Sequence, residues 1–140
     1  MDNNIVSDEK LLELFDEAQK AALHSYSPYS KFPVGAAVLF SDGKVFTGCN
    51  VENRSFGLTN CAERSAVFAA VSAGSSRICA VAIATPKSEY PVGPCGACRQ
   101  VLTEFGSGEV PVLFGPDKLK LKRSSLGELY PFDSLHELAD

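Results

Sequence analysis

Long apolar runs are missing from this sequence. No stretch approaches the roughly 18 residues that a membrane-spanning helix requires, so no membrane association through such a helix is expected. A basic excess is missing too. Thirteen Lys and Arg stand against 17 Asp and Glu, a formal charge of −4, which argues against a surface built to hold a nucleic-acid backbone. Histidine is scarce: His24 and His136 sit near opposite ends of the chain, are expected at the surface, and supply no ligand at short spacing. Linkers, internal repeats and low-complexity tracts are absent as well. What remains is a 140-residue chain with a 45% hydrophobic share, suited to a single globular domain over residues 1–140. The opening, Met1 to Asp8, is acidic and polar, unlike a secretory signal or a transit peptide, so a cytoplasmic location is expected. Five cysteines is an odd number. In a reducing compartment they read as ligands or buried thiols rather than disulfides.

Apolar residues at helical spacing (Leu11, Phe15, Ala18, Ala22) predict a helix from Ser7 to about Ser25, with Ser7 as its cap and Pro28 beyond its end. A loop from Tyr26 to Pro33 carries two prolines and three aromatics. Val34 to Phe40 and Lys44 to Val51 read as strands around the turn Ser41-Asp42-Gly43. After a loop at Asn53 to Asn60, Cys61 to Ala73 reads as a buried helix ended by Gly74. Ile78 to Ala84 is a continuous apolar strand of the kind covered on both faces. A Pro/Gly-rich loop then leads to a helix over Gly96 to Phe105, a strand over Val110 to Phe114, and a helical or irregular tail from Ser124. This order implies an α/β fold, a three-layer α/β/α sandwich on a mixed sheet.

Two short motifs carry chemistry: Cys61-Ala62-Glu63-Arg64 and Pro94-Cys95-Gly96-Ala97-Cys98. Each opens a predicted helix straight after a loop. Cys95 and Cys98, three apart, share one face of a first turn and can grip one ion. Helix N-termini favour thiolate over thiol, because free N–H groups and the positive dipole end stabilise the sulfur. Two facing helix starts would bring Cys61, Cys95 and Cys98 onto one metal. Zinc suits thiolates, and three protein ligands leave a fourth position for water, the mark of a catalytic rather than a structural site. Three thiolates leave such a centre with a net charge of about −1, which Arg64 can offset by donating hydrogen bonds to sulfur. Glu63, in the same first turn as Cys61, can reach over the helix end and shuttle a proton between water and a ring nitrogen or a leaving amine. A Glu near the first ligand and a Pro-Cys-x-x-Cys is the pattern of zinc-dependent base deaminases.

On these motifs, the second continued through Arg99-Gln100, with Ser30-Lys-Phe-Pro-Val-Gly-Ala-Ala37 and Gly48-Cys-Asn-Val-Glu-Asn53, the sequence resembles the cytidine deaminase family in its small, three-cysteine, homotetrameric branch. The motifs run in the family's order and the likeness covers roughly residues 8 to 131. The resemblance implies a mixed five-stranded sheet and one Zn2+ per chain on Cys61, Cys95 and Cys98, with Glu63 as proton shuttle. It further implies ribose binding by Asn50 and Glu52, packing of Phe32 on the pyrimidine, and a base contact from the Ala62 backbone. Active sites shared between subunits of a homotetramer are implied as well. Phe56 stands where the family usually has a Tyr that reaches a neighbour's site. The tail departs further. Similar proteins read Glu-Leu-Leu-Pro with a Phe three residues after the proline, whereas here Glu128-Leu-Tyr-Pro-Phe132 leaves Ser134 in that place. Phe132 is the candidate substitute for that aromatic.

The expected reaction is hydrolytic deamination of cytidine and 2′-deoxycytidine to uridine and 2′-deoxyuridine with release of ammonia, in pyrimidine salvage, with a free nucleoside rather than nucleic acid as partner. Blander readings stand beside this one. Cys95-x-x-Cys98 alone could be a redox pair, and Asn60-x-x-Glu63 has the outline of a capping box. Phe32 could be core, and Arg64 a surface ion-pair residue. Cys49 and Cys79 read as buried strand thiols, and Lys118, Lys120, Lys122 and Arg123 as a solvated face. Among other functions, a deaminase of an aminoacyl-nucleoside antibiotic shares the metal motifs. A nucleic-acid-editing deaminase would more often carry His as first ligand and a basic surface. A non-enzymatic zinc module would need no Glu63.

Overall fold

The computed structural model of the protein describes residues 5–135 and 138; His136 lies outside them. Helix α1 (Asp8–Ala22) starts at Ser7, whose hydroxyl accepts the Lys10 N–H at 3.1 Å. Asp8 and Glu9 in its first turn and Lys20 in its last complement the helix dipole. The helix stops short of Ser25. The amides of Leu23, His24 and Ser25 bond to carbonyls three residues back, tightening the chain into turns that lead into the 26–33 loop.

Strands β1 (Gly35–Phe40) and β2 (Val45–Cys49) form the expected hairpin, with Gly43 at φ +87° in the turn, a conformation that favours glycine. Then come a 3-10 turn at Phe56–Leu58, α2 (Ala62–Ser72), β3 (Ile78–Ala84), α3 (Gly96–Phe105), β4 (Pro111–Gly115), β5 (Lys122–Ser125) and α4 (Leu126–Leu129). The sheet order is β2-β1-β3-β4-β5, with β3 and β4 parallel and the other neighbours antiparallel. The mixed five-stranded sheet is borne out. The fifth strand takes in Ser124 and Ser125, where a helical or irregular tail was expected to begin, and α4 follows it as the helical part of that tail; Lys122-Arg-Ser-Ser125 has no apolar alternation and becomes a strand by pairing with β4.

Side chains alternate across the sheet and so build two cores. On one face Leu11, Leu14, Phe15 and Ala18 of α1 cover Ala37, Ala80, Ala82, Ala84 and Leu113. On the other, Ala66, Val67 and Ala70 of α2, Leu102 of α3 and Leu126 cover Val38, Phe40, Val81, Ile83, Val112 and Phe114. Each large apolar side chain so enclosed contributes about 1.5–3 kcal/mol. These are the three layers. A bulge pairs Leu39 with Ala80 but Phe40 with Ile78, so Ile78 and Ala80 serve opposite cores and Cys79 is the extra residue. Cys79, in this bulge, and Cys49, at the end of β2, are half-buried rather than fully buried. Burial still pushes both thiols up from their ordinary pKa.

The basic cluster is exposed, with Lys118 paired to Asp16 and Arg123 to Asp8 at 2.7 Å each. No helix among the described residues is long and apolar enough to cross a membrane. The topology also locates a functional edge. Register puts Cys49, Gly35, Ala84 and Gly115 side by side, so β2, β3 and β4 all end at one rim, and the chain leaves that rim to start α2 and α3.

Candidate active site and metal centre

Both helix starts at this rim are built unusually. Cys61 is the N-cap residue of α2 and Cys95 that of α3, in extended conformations at φ −80°, ψ 159° and φ −69°, ψ 169°. N-cap side chains normally accept a hydrogen bond from the first turn, but neither of these does. Their sulfurs are free for other partners. Cys98, three residues into α3, is buried. The three sulfurs lie within 4.8 Å of one another, and among the described residues no other trio of Cys, His, Asp or Glu gathers in this way.

The sulfurs pass a direct test of fit for zinc. Thiolates about 2.3 Å from a tetrahedral zinc lie about 3.8 Å apart, and Cys61 Sγ and Cys95 Sγ are 3.6 Å apart. The electrostatics agree. The neighbouring Cys98 thiol, then the Arg64 guanidinium and Cys95, bring Cys61 down to about 5 against the opposing effect of burial. Cys98 is raised in turn, because it shares its proton with Cys61 and is buried. Arg64 donates from Nη2 to Cys61 Sγ at 3.2 Å, and its Nε is buried with no hydrogen-bond partner. A cation aimed at sulfur, with a donor to spare, suits a cluster carrying more than one negative charge.

Glu63 follows Cys61 by two residues and is only 4% exposed. Burial, reinforced by the Cys61 charge, pushes its carboxyl up to about 7. A buried carboxyl near neutrality can both take and give a proton at working pH. Ala62, between them, is wholly buried, and in the first turn its N–H has no acceptor within the helix.

Glycine sets the distance between this helix and the strand beside it. A Cβ on Gly48 would fall 2.5 Å from the Ala62 carbonyl oxygen and 2.6 Å from the Ala66 nitrogen. Only glycine lets β2 lie this close to the first turn of α2. Immediately after it, residues 50–52 bridge two segments. Tyr26 donates to the Asn50 carbonyl and Glu52 to the Tyr26 carbonyl, while Val51 and Asn60 exchange two backbone bonds at 3.0 Å. The residue before Cys61 is thereby tied to the strand extension carrying Asn50 and Glu52.

Asn50 is 8% exposed. Its Oδ1 accepts from Ser25 Oγ at 2.5 Å and Val34 N–H at 2.9 Å, and its Nδ2 donates to the Phe32 carbonyl at 2.9 Å. Glu52 accepts from the Tyr29 and Ser30 N–H groups at 3.0 and 3.2 Å and from the Ser30 hydroxyl. The Ser30 hydroxyl, with these amides, holds its carboxyl below the usual range. Both side chains thus shape the loop that carries half-buried Phe32. Each keeps one hydrogen-bonding site: an amide N–H on Asn50, and one acceptor site on a carboxylate that offers about four.

Residues 8–114 match the family model of the cytidine and deoxycytidylate deaminase zinc-binding region. The chain belongs to this deaminase family. It is 47% identical over 119 residues to a cytidine deaminase of Sporosarcina psychrophila, covering 85% of this chain and 87% of that one. A cytidine deaminase of Halalkalibacterium halodurans is 45% identical over 84% of this chain and 89% of its own length. Among solved structures, the cytidine deaminase of Burkholderia pseudomallei superposes with a TM-score of 0.82 at 42% identity, covering 91% of this chain and 98% of that one. The Mycobacterium tuberculosis enzyme gives 0.74 at 41%, covering 91% and 97%. Zinc is accordingly the cofactor, and the donor set fits one ion per chain.

In this deaminase the two remaining aromatics stand apart from the thiol cluster in character. Phe56, on the 3-10 turn, is 73% exposed and meets Tyr29 edge-on at 5.7 Å between ring centroids. With Tyr29, Ser30, Glu52 and Thr59 it lines an open cavity of about 380 Å³. Phe132 is fully exposed, at φ +56°. Three residues of the region escaped individual notice in the sequence: Ser25, Ser30 and Arg99. Ser30 and Arg99 lie within the motifs that carry the family resemblance. Ser25 carries no signal at all, since its partner Asn50 is 25 residues away.

Proposed function

We propose that this chain hydrolyses cytidine and 2′-deoxycytidine to uridine and 2′-deoxyuridine with release of ammonia, as a pyrimidine salvage enzyme. The observation that carries this reading is the gathering of three cysteine sulfurs within 4.8 Å of one another, with the buried Glu63 carboxyl in the helix turn that begins at Cys61. Cys61, Cys95 and Cys98 hold the metal, and Arg64 tempers the charge of the thiolates. Held there, zinc would supply a water acidified enough to act as nucleophile at neutral pH. Glu63 takes the proton of the water that adds to C4 and passes it to ring N3. It then carries the second proton to the amine, so that a C–O bond replaces the C–N bond and ammonia departs.

The free amide N–H of Asn50 and the free acceptor site of Glu52 support a sugar hydroxyl as ligand, because a hydroxyl accepts one bond and donates another. The 3′-OH is assigned to them. Phe32 packs on the pyrimidine, and the Ala62 backbone meets the base. Exposed Phe56 and Phe132 are suited to completing a neighbour's pocket in a homotetramer. Three thiols that must stay reduced support a cytoplasmic location.

The test is zinc content per chain together with ultraviolet assays on cytidine, 2′-deoxycytidine, cytosine and a cytidine-containing oligonucleotide. One zinc per chain and turnover of both nucleosides are expected. Turnover of the oligonucleotide but not of the nucleosides would overturn the assignment.

A further inference from the structure

The metal motif continues past its last cysteine into Arg99 and Gln100, and both side chains turn back toward other segments. Arg99 is half-buried in the first half of α3. Its Nε donates to the Pro94 carbonyl at 2.7 Å, and its Nη1 donates to the Leu129 carbonyl at 2.8 Å. Pro94 is buried and immediately precedes Cys95. Leu129 ends α4, 30 residues further along. The guanidinium therefore links the peptide that delivers one cysteine to the C-terminal turn. A second tie runs beside it: the Tyr130 hydroxyl donates to Gln100 Oε1 at 2.5 Å. The loop is also fitted around the guanidinium, since a Cβ on Gly93 would come within 3.3 Å of Arg99 Nη2.

We infer that Arg99 is a positioning residue for the zinc site, and that the C-terminal turn at Leu129 and Tyr130 braces the Cys95–Cys98 turn through it. The chemistry favours Arg for this place. Two carbonyl oxygens in different segments need two N–H donors held in fixed relation, which a planar guanidinium supplies and an ammonium does not. A buried carbonyl left without a donor is costly, so losing the guanidinium frees the peptide next to Cys95. Tyr130 adds its own tie to the same helix through the side chain of Gln100. The tail is thus fastened at two adjacent points of α3.

The inference rests on the three-cysteine zinc site, and the experiment separates the two. Zinc-loaded wild type, Arg99→Ala, Arg99→Lys and Tyr130→Phe are mixed with a coloured chelator, and the rate of zinc release is followed alongside thermal unfolding. Supporting groups around a metal typically change its retention by roughly 10- to 100-fold. Arg99→Ala is expected to release zinc that much faster, Arg99→Lys to recover only part of the difference, and Tyr130→Phe to accelerate release by a few-fold. Adding Tyr130→Phe to Arg99→Ala should contribute little more, because both act through the same turn. A purely structural role would lower the unfolding temperature and leave the release rate unchanged. Release within about twofold of wild type in Arg99→Ala overturns the brace. If that variant does not fold, an unchanged rate in Tyr130→Phe overturns it equally. A wild type without zinc overturns the metal assignment itself.

Discussion

Arg64 places its Nη2 3.2 Å from the sulfur of Cys61, so the residue that follows the buried acid Glu63 is a cation directed back at a thiolate. The spacing of three along α2 puts both side chains on one side of the first turn. Arg64→Gln keeps a polar side chain but removes the charge. It is expected to retain zinc while kcat falls roughly 10- to 100-fold. Steady-state kinetics with metal analysis checks this, and unaltered kcat would remove Arg64 from the site.

Glu63 and the cysteines should separate cleanly by assay. Glu63→Gln is nearly isosteric, so zinc is retained and turnover drops by about 10²- to 10⁴-fold, the usual worth of a positioned acid–base group. Cys95→Ser is expected to lose the metal. Stripping zinc from the wild type with a chelator should abolish turnover, and added zinc should restore it.

Gly48 gives a test of geometry rather than chemistry. Gly48→Ala forces a methyl group to 2.5 Å from the Ala62 carbonyl. The expected cost is about 1–3 kcal/mol of stability, as for other overpacked sites, read from urea unfolding. Activity at a temperature where the variant is folded should fall as well, because the displaced first turn carries Ala62 and Glu63. Full activity in a destabilised variant would show that the strand-to-helix distance does not control the site.

The far rim of the sheet offers a pH prediction. Ser75 Oγ donates to Asp42 Oδ2 at 2.5 Å, and Asp42 Oδ1 accepts the Lys44 N–H at 3.0 Å. The Ser75 bond, then the Lys44 amide, hold the Asp42 carboxyl below its ordinary value of 3.8. A depressed folded-state pKa stabilises above the unfolded value and is lost as pH falls through the folded one. Ser75→Ala should therefore lower the unfolding temperature at pH 6–7, with the gap to wild type narrowing below about pH 3.8. A gap that is constant across that range would deny the carboxylate its part.

Much of this protein is legible locally. Ile78 to Ala84 is a buried strand by composition alone, and Ser7 marks the start of α1 as its hydroxyl later does in space. The motifs at Cys61 and Cys95 announce thiolates at helix starts before any fold is known. Other features have no local signature. Lys122 and Arg123 look like part of a solvated basic face and Ser124 like the start of an irregular tail, and the strand conformation of Lys122–Ser125 comes from the partner β4. Asn50 and Glu52 are legible as a polar pair by resemblance. Their bonds to Ser25, Phe32 and Ser30 depend on a loop folding across 18 to 25 residues.

The sequence by itself therefore determined the donors: three sulfurs, one carboxyl and one guanidinium, at spacings that helix geometry places on first turns. Tertiary structure alone decided what those groups are. Burial moves Glu63 to about 7, convergence of α2 and α3 at one rim brings the sulfurs within 4.8 Å, and the C-terminal turn reaches Arg99. Proton affinity and metal geometry depend on what surrounds a side chain in space, and residues far apart in the chain supply most of those surroundings.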